Sequence, residues 1–216
     1  MKVVAGQTES AGFTRRDLLV SVIACALLLL LAFPAMIRAK RRAQRIACCG
    51  QLAQISLAFK QWSLDHANAY PMNLSTNFGG TQEWALLGEA CRYFAAISNE
   101  LNTPLLLACP SDTRRKSARN FASLANSNIS YWLAVPTEGA QPQTLLAGDR
   151  NLLGGTRLTN GIVELTTNDL VSWGRDLHNG VGNVALADGS VVQPSASLLR
   201  EAIKNTGCVT NRILMP

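Results

Sequence analysis

The sequence predicts an α+β fold in which one long N-terminal helix packs on a small antiparallel sheet, and three observations lead there. From Leu18 to Ile37 twenty residues pass without a charge, the length at which a helix crosses the hydrocarbon core of a bilayer. After a basic cluster, Ile46, Cys49, Leu52, Ile55, Phe59 and Trp62 recur at spacings of three and four, which is an apolar stripe on an amphipathic helix. From Ile129 onward the period changes to short runs of β-branched and aromatic residues bounded by Gly, Asn, Asp and Pro, the pattern of strands joined by turns.

The first two stretches join into one element. No proline interrupts from Ala35 to Tyr70, so a helix is expected from Thr14 to His66, roughly 80 Å long at 1.5 Å per residue. Pro34 lies inside the apolar part and removes one backbone donor, so a kink or local opening is expected there. Asn68 to Gly80 has loop composition. Glu83 to Asn99 carries Trp84, Leu87, Cys91, Phe94 and Ile97 at helical spacing and is read as a second helix. Leu105 to Ala108 is read as a brief strand, ended by a turn at Cys109, Pro110, Ser111 and Asp112. Thr113 to Arg119 is basic, and Asn120 to Asn128 shows no usable period.

Strands are expected over Ile129 to Val135, Thr144 to Gly148, Gly161 to Thr166, Gly182 to Ala187 and Ser190 to Gln193. Asp188 and Gly189 separate the last two, and Asp-Gly between apolar runs is a strong hairpin signal. A final helix starts at Ser195, with its cap at Ser195 or Ser197, and runs to Asn205. Once the anchor is set aside, roughly 150 to 170 residues are left, enough for one domain.

Ahead of the apolar run, a polar leader ends in Gly12, followed by Phe13 and, four positions further on, Asp17. Cleavage after Gly12 would leave an ammonium on Phe13, one helical turn from Asp17 on the same face. A carboxylate suits a helix N-terminus, but a charge carried to the bilayer centre costs about 2.5 to 3.5 kcal/mol, so Asp17 implies a partner. This arrangement resembles the cleavage and methylation site of type IV prepilins and of the pseudopilins of type II secretion systems. A second element resembles the same family: His178, nine residues, then Asp188 and Gly189, in DLHNGVGNVALADGSV. RIACCGQLAQISLAFKQW after the anchor and CPSDTRR at Cys109 extend the likeness over nearly the whole chain.

The resemblance implies a pilin-like structural subunit rather than an enzyme. It implies a leader over 1–12, a transmembrane half of the helix over 13–37, an amphipathic half over 38–66 and a head over 67–216. A prepilin peptidase and methylase would act at Gly12 and Phe13, and Asp17 would meet the terminal amine of a neighbouring pilin-like subunit during assembly of a homo- or hetero-polymer. A disulfide between Cys48 and Cys109 is implied by the contexts RIxC and CPxD, with free buried thiols as the alternative. The expected location is a bacterial inner membrane, crossed once, with the N-terminus cytoplasmic and the head periplasmic. This chain departs from the family in having Asp17 where Glu is usual, and Arg15 and Arg16 where apolar residues are usual.

Other readings compete. Thr14 to Leu19 looks like a twin-arginine signal, and Val22 to Cys25 loosely resembles a lipoprotein cleavage box, although the apolar run continues about twelve residues past Cys25. On the first of these the chain is an exported, membrane-tethered enzyme or binding protein with a site near His178 and Asp188, Ser190 supplying a nucleophile. No G-x-S-x-G elbow supports that site, and a histidine bonding across the hairpin to the Asp188 turn is the simpler account. His66 is read as the exposed end of the long helix.

The net charge is +6, and much of it sits in Arg38, Lys40, Arg41, Arg42 and Arg45, where cations suit lipid headgroups. The absence of aromatics among these residues argues against nucleic acid as a partner. The charge bias does not fix orientation, because the far flank is at least as basic as the near one. Six cysteines suit an exported domain. None of their spacings is that of a zinc site, so no metal is assigned. Calcium at Asp149, Asp176 and Asp188 is weighed against ordinary turn chemistry. The four tryptophans are assigned to the core, with Trp173 in a loop-like setting that would allow exposure.

Overall fold

The computed structural model describes residues 14–135 and 142–216. Its first element, α1 (Arg15–Leu64), is one uninterrupted helix of 50 residues with Pro34 inside it. Two compact units divide the chain, the first reaching to Lys40 and the second Arg41–Pro216. In the first unit the most apolar 18-residue window of α1 is wholly unburied and long enough to cross a membrane. Leu27, Leu28, Leu29, Leu30 and Leu31 are all exposed. At Pro34 the helix gives up one backbone bond by chemistry alone, and the Pro34 carbonyl accepts from Arg38 Nε at 3.3 Å.

In the second unit the buried residues of α1 are Cys48, Leu52, Ile55, Phe59 and Trp62, with small residues between them. This shifts the phase of the expected stripe. Cys48, rather than Cys49, begins it, and Ile46 is more than half exposed. Counting 48, 52, 55, 59 and 62 keeps alternate steps of four and three, which is one helix face. Each fully buried Leu, Ile or Phe there contributes about 1.5–3 kcal/mol.

The expected second helix is not continuous. It divides into a 3-10 segment (Gln82–Leu87), α2 (Ala90–Ala96) and α3 (Ser98–Leu101). Gly88 makes the break: its φ is +71°, and a Cβ there would meet the Asn160 carbonyl oxygen at 2.4 Å. The strand expected at Leu105 to Ala108 is a 3-10 turn instead (Pro104–Leu107), started by Thr103, whose hydroxyl accepts from Leu105 N. Pro104 at its start fixes φ for a helical turn. The unassigned stretch from Asn120 to Asn128 holds two further 3-10 turns.

The strands are β1 (Tyr131–Val135), β2 (Leu145–Asp149), β3 (Leu152–Leu153), β4 (Thr156–Arg157), β5 (Ile162–Thr166), β6 (Ser172–Trp173), β7 (Val184–Leu186), β8 (Val191–Val192) and β9 (Thr210–Leu214). Seven of them form one antiparallel sheet in the order β4-β5-β9-β1-β2-β7-β8, and β3 pairs with β6 in a second small sheet. The sequence reading misses β9, which lies in the middle of the large sheet between β5 and β1. Helix α4 (Ala196–Asn205) is capped by Ser195, whose hydroxyl accepts from Leu198 N.

Both faces of the large sheet are covered, and the period-2 alternation divides its side chains between two cores. Tyr131, Leu133 and Leu214 face the core formed with α1 and α2. Trp132, Val163 and Ile213 face the core under α4, with Leu199, Ile203 and a buried Trp173. Sheets buried on both faces read as continuous apolar runs, which explains YWLAV in β1.

Candidate functional site

Two regions bear on function, one in each unit. In the first, Gly12 and Phe13 lie outside the described residues. Asp17 is exposed and engaged with its own helix: its Oδ2 accepts from Thr14 N at 2.9 Å and Thr14 Oγ1 at 2.7 Å, and Asp17 N donates to Thr14 Oγ1 at 3.3 Å. With Thr14 as the cap residue and Asp17 three positions on, this is a capping box with Asp in the acidic position. The sequence reading gave Asp17 an intermolecular role and missed this local one, although the T-x-x-D spacing signals it.

In the second unit a polar cluster forms beside α1. Cys48, on the buried face of α1, is joined by a disulfide to Cys109, with their Cα atoms 5.5 Å apart. His178, in the segment between β6 and β7, places its Nε2 3.5 Å from Cys109 Sγ and 3.3 Å from Asp149 Oδ2 at the end of β2. Asp149 is fully buried. Its Oδ2 also accepts from Asn183 N at 2.8 Å and Asn183 Nδ2 at 2.9 Å, while its Oδ1 has no partner among the described residues. From α1, Arg45 Nη2 donates to the Gly182 carbonyl at 3.1 Å.

The electrostatics of this cluster follow from burial. Burial pushes the Asp149 carboxyl up to about 7, against the Asn183 donors and nearby Arg45. Burial and then Arg45 push the His178 imidazole down to about 4. Arg45 is itself lowered by burial, with Asp149 opposing. Burial thus favours the neutral form of each group at the His178–Asp149 contact rather than two full charges. Desolvation disfavours the ionised form of each.

A second network adjoins the disulfide through the turn that follows Cys109, in which Asp112 N donates to the Cys109 carbonyl at 2.9 Å. Asp112 is buried and accepts from Arg150 through both oxygens, Nε to Oδ2 at 2.6 Å and Nη2 to Oδ1 at 2.8 Å, and from Ser130 Oγ at 2.8 Å. Arg150 Nη1 reaches Asp176 Oδ2 at 3.0 Å. Burial works to raise Asp112, but the Arg150 and Ser130 bonds outweigh it and hold the carboxyl below the usual range. Forked arginine–carboxylate pairs of this kind are strong and directional.

The structure corrects the role expected for the His178 element. His178 Nε2 bonds to Cys109 Sγ and lies against Asp149, rather than reaching across the hairpin to Asp188. Asp188 instead builds the turn, its Oδ1 accepting from Ser190 N at 2.8 Å and Ser190 Oγ at 2.7 Å, with Gly189 at φ +94°. Ser190 therefore donates to Asp188 rather than facing His178, so the hydrolase arrangement is not assembled. The His178 side chain is only 2 % exposed. Asp149, Asp176 and Asp188, weighed as a calcium set, have three separate groups of partners. Arg150 and Asn183 were not singled out from the sequence, and Asp112 was signalled only by CPSD; Arg45, read there with the basic cluster at the headgroups, instead donates to the Gly182 carbonyl. No family model, curated protein or solved structure matches the chain.

Proposed function

We propose that the chain is a membrane-anchored, pilin-like structural subunit: a pseudopilin of a type II secretion system or a subunit of a related type IV filament. In this reading it is cut between Gly12 and Phe13 by a prepilin peptidase and assembled through its N-terminal helix. The observation that carries the reading is α1 itself, a single helix whose apolar first part has no burial while its buried face begins only at Cys48. An apolar helical surface of that size needs lipid or other helices around it, and copies of the same helix meet that need in a filament. The resemblance at Gly12, Phe13 and Asp17 and at His178, Asp188 and Gly189 supports the same reading.

In this role Asp17 has two tasks. It caps its own helix through Thr14 and supplies the charge that a neighbour's Phe13 amine would answer. Within the second unit the disulfide ties the buried face of α1 to the Cys109 turn.

The test is intact-mass and N-terminal peptide analysis of the protein from its native membranes, comparing wild type with Gly12→Ala and Asp17→Ala. The expected mature chain starts at methylated Phe13, is absent from Gly12→Ala, and persists in Asp17→Ala without entering oligomers. An uncut chain, or an N-terminus beyond Cys25, refutes the proposal.

A further inference from the structure

We propose that the end of the head where Arg41 and Arg42 of α1 meet Arg114 and Arg175 is a docking surface for the phosphate headgroups of anionic lipids. The inference rests on the membrane-anchored reading of α1 and not on the filament reading.

Contacts within the second unit bring the four arginines to one end. Arg41 and Arg42 are the first two residues of that unit. One helical turn further along α1, Gln44 Nε2 donates to the Pro110 carbonyl at 3.2 Å and Arg45 Nη2 to the Gly182 carbonyl at 3.1 Å. The Pro110 turn leads directly to Arg114, whose guanidinium stands 3.6 Å from Asp176 Oδ2. Gly182 ends the segment that Asn151 gathers, its Nδ2 donating to the Gly174 and Val181 carbonyls at 2.8 and 3.0 Å, and Arg175 follows Gly174. The sequence displays only the basic run on α1; the fold adds the two cations from distant segments.

The protein does not balance the charge it collects there. Arg41, Arg42, Arg45, Arg114, Arg150 and Arg175 bring six positive charges, and the carboxylates set among them are Asp112, Asp149 and Asp176. A surplus of three is left even with all three carboxylates ionised. Arg150 occupies Asp112 and also holds Asp176 at 3.0 Å. Arg114 shares that Asp176 oxygen at the longer 3.6 Å with its side chain 71 % exposed, and a contact of this kind is worth little in water. Arg41, Arg42 and Arg175 are exposed and make no ion pair or side-chain hydrogen bond among the described residues. Guanidinium groups suit phosphate because their planar forks donate two parallel hydrogen bonds.

Position makes lipid the source of that phosphate. The apolar run ends at Ile37, and the helix from there to Arg45 rises about 12 Å at 1.5 Å per residue. The headgroup layer is about 5–8 Å deep. Arg45 and the Gly182 carbonyl it holds therefore lie about 4–7 Å beyond that layer, inside the roughly 8 Å over which an anionic surface is felt at physiological salt. The Cys48–Cys109 disulfide and the Asp112–Arg150 fork keep the Arg114 turn fixed against α1. Docking there gives the head a second hold on the leaflet beside its helix.

The experiment places the full chain, one copy per disc, in lipid nanodiscs of phosphatidylcholine alone or of phosphatidylcholine mixed with phosphatidylglycerol. Labelling of each arginine by phenylglyoxal is then read by peptide mass spectrometry. Arg114 and Arg175 should label about fivefold more slowly in the mixed discs, with the difference lost in high salt. Exposed Arg157, on edge strand β4, should label equally in both. Inorganic phosphate added to the phosphatidylcholine discs should give no protection. Arg114→Gln/Arg175→Gln, ejected from mixed discs and weighed intact with its lipids, should carry less phosphatidylglycerol than wild type. Equal labelling in the two discs, protection by inorganic phosphate alone, or unchanged lipid retention in the double variant overturns the proposal. A chain that does not stay with phosphatidylcholine discs refutes the anchor and the docking surface together, whereas one that stays but gains no protection from phosphatidylglycerol refutes the docking surface alone.

Discussion

Opposite pH slopes should appear when the two members of the Asp149–His178 pair are removed one at a time from the oxidised protein. A carboxyl whose folded pKa is raised, from 3.8 to about 7 for Asp149, loses stability as pH rises through that window. An imidazole whose folded pKa is lowered, from 6.5 to about 4 for His178, loses stability as pH falls through its own window. In wild type the two effects cancel between about pH 4 and 6.5. The unfolded pair carries one proton, on the imidazole, and the folded pair carries one, on the carboxyl, so no net proton is exchanged on folding.

Asp149→Asn keeps the shape and leaves only the histidine, and at about 1.4 kcal/mol per unit it should lose about 3 kcal/mol relative to wild type between pH 7 and 4. His178→Gln removes the histidine's opposing contribution and should lose about 3 kcal/mol relative to wild type between pH 4 and 7. The assay is urea denaturation of the full chain in detergent, read by the fluorescence of buried Trp62, Trp132 and Trp173. Taking each difference against wild type removes the contribution of every other titrating group. With a slope of about 2–3 kcal/mol per molar urea, the midpoints should move by about 1 to 2 M, in opposite senses. Two variants that drift in the same direction, or neither departing from wild type, would refute the single-proton account.

Three further outcomes follow from the same geometry. Cys48→Ala/Cys109→Ala opens a loop of sequence separation 61, so unfolding under oxidising conditions should become easier by about 4 kcal/mol on the chain-entropy estimate, read as a urea midpoint. Arg150→Met strands the buried Asp112 carboxylate and should cost about 3–5 kcal/mol; adding Asp112→Asn should recover part of the loss, as a double-mutant cycle would measure. Thr14→Ala removes the cap but keeps the Asp17 charge, costing the helix end about 1 kcal/mol. Hydrogen exchange should quicken at the Asp17 amide, while crosslinked oligomers in membranes persist that Asp17→Ala lacks.

What the sequence disclosed was local, and what it withheld was long-range. Leu52, Ile55, Phe59 and Trp62 announce a helix face because period and burial coincide there, and the Ser195 cap and Asp188-Gly189 turn carry their chemistry within a few residues. β9 does not announce itself. Its run, TNRIL, contains Asn211 and Arg212, poor strand formers whose place is set by β5 on one side and β1 on the other. The second helix was overextended because its apolar spacing continues through Gly88, where a distant Asn160 carbonyl forbids a side chain. The surroundings of the disulfide were hidden for the same reason: Cys109, Asp149 and His178 share no spacing, and only the fold brings them together.

The position of β9 also sets an order of events during synthesis. The large sheet cannot be completed until Leu214 has emerged, because β5 and β1 touch one another only through it. Cys48 and Cys109 emerge about a hundred residues earlier, so the covalent tie can form before any strand of the sheet has been made. A nascent chain stalled before β9 would therefore hold its staple and anchor but expose β1 and β5 as two unpaired edges, the kind of surface that recruits other strands. Completion of the head is thus a late, all-at-once step, in which one five-residue segment joins two part-built sheets.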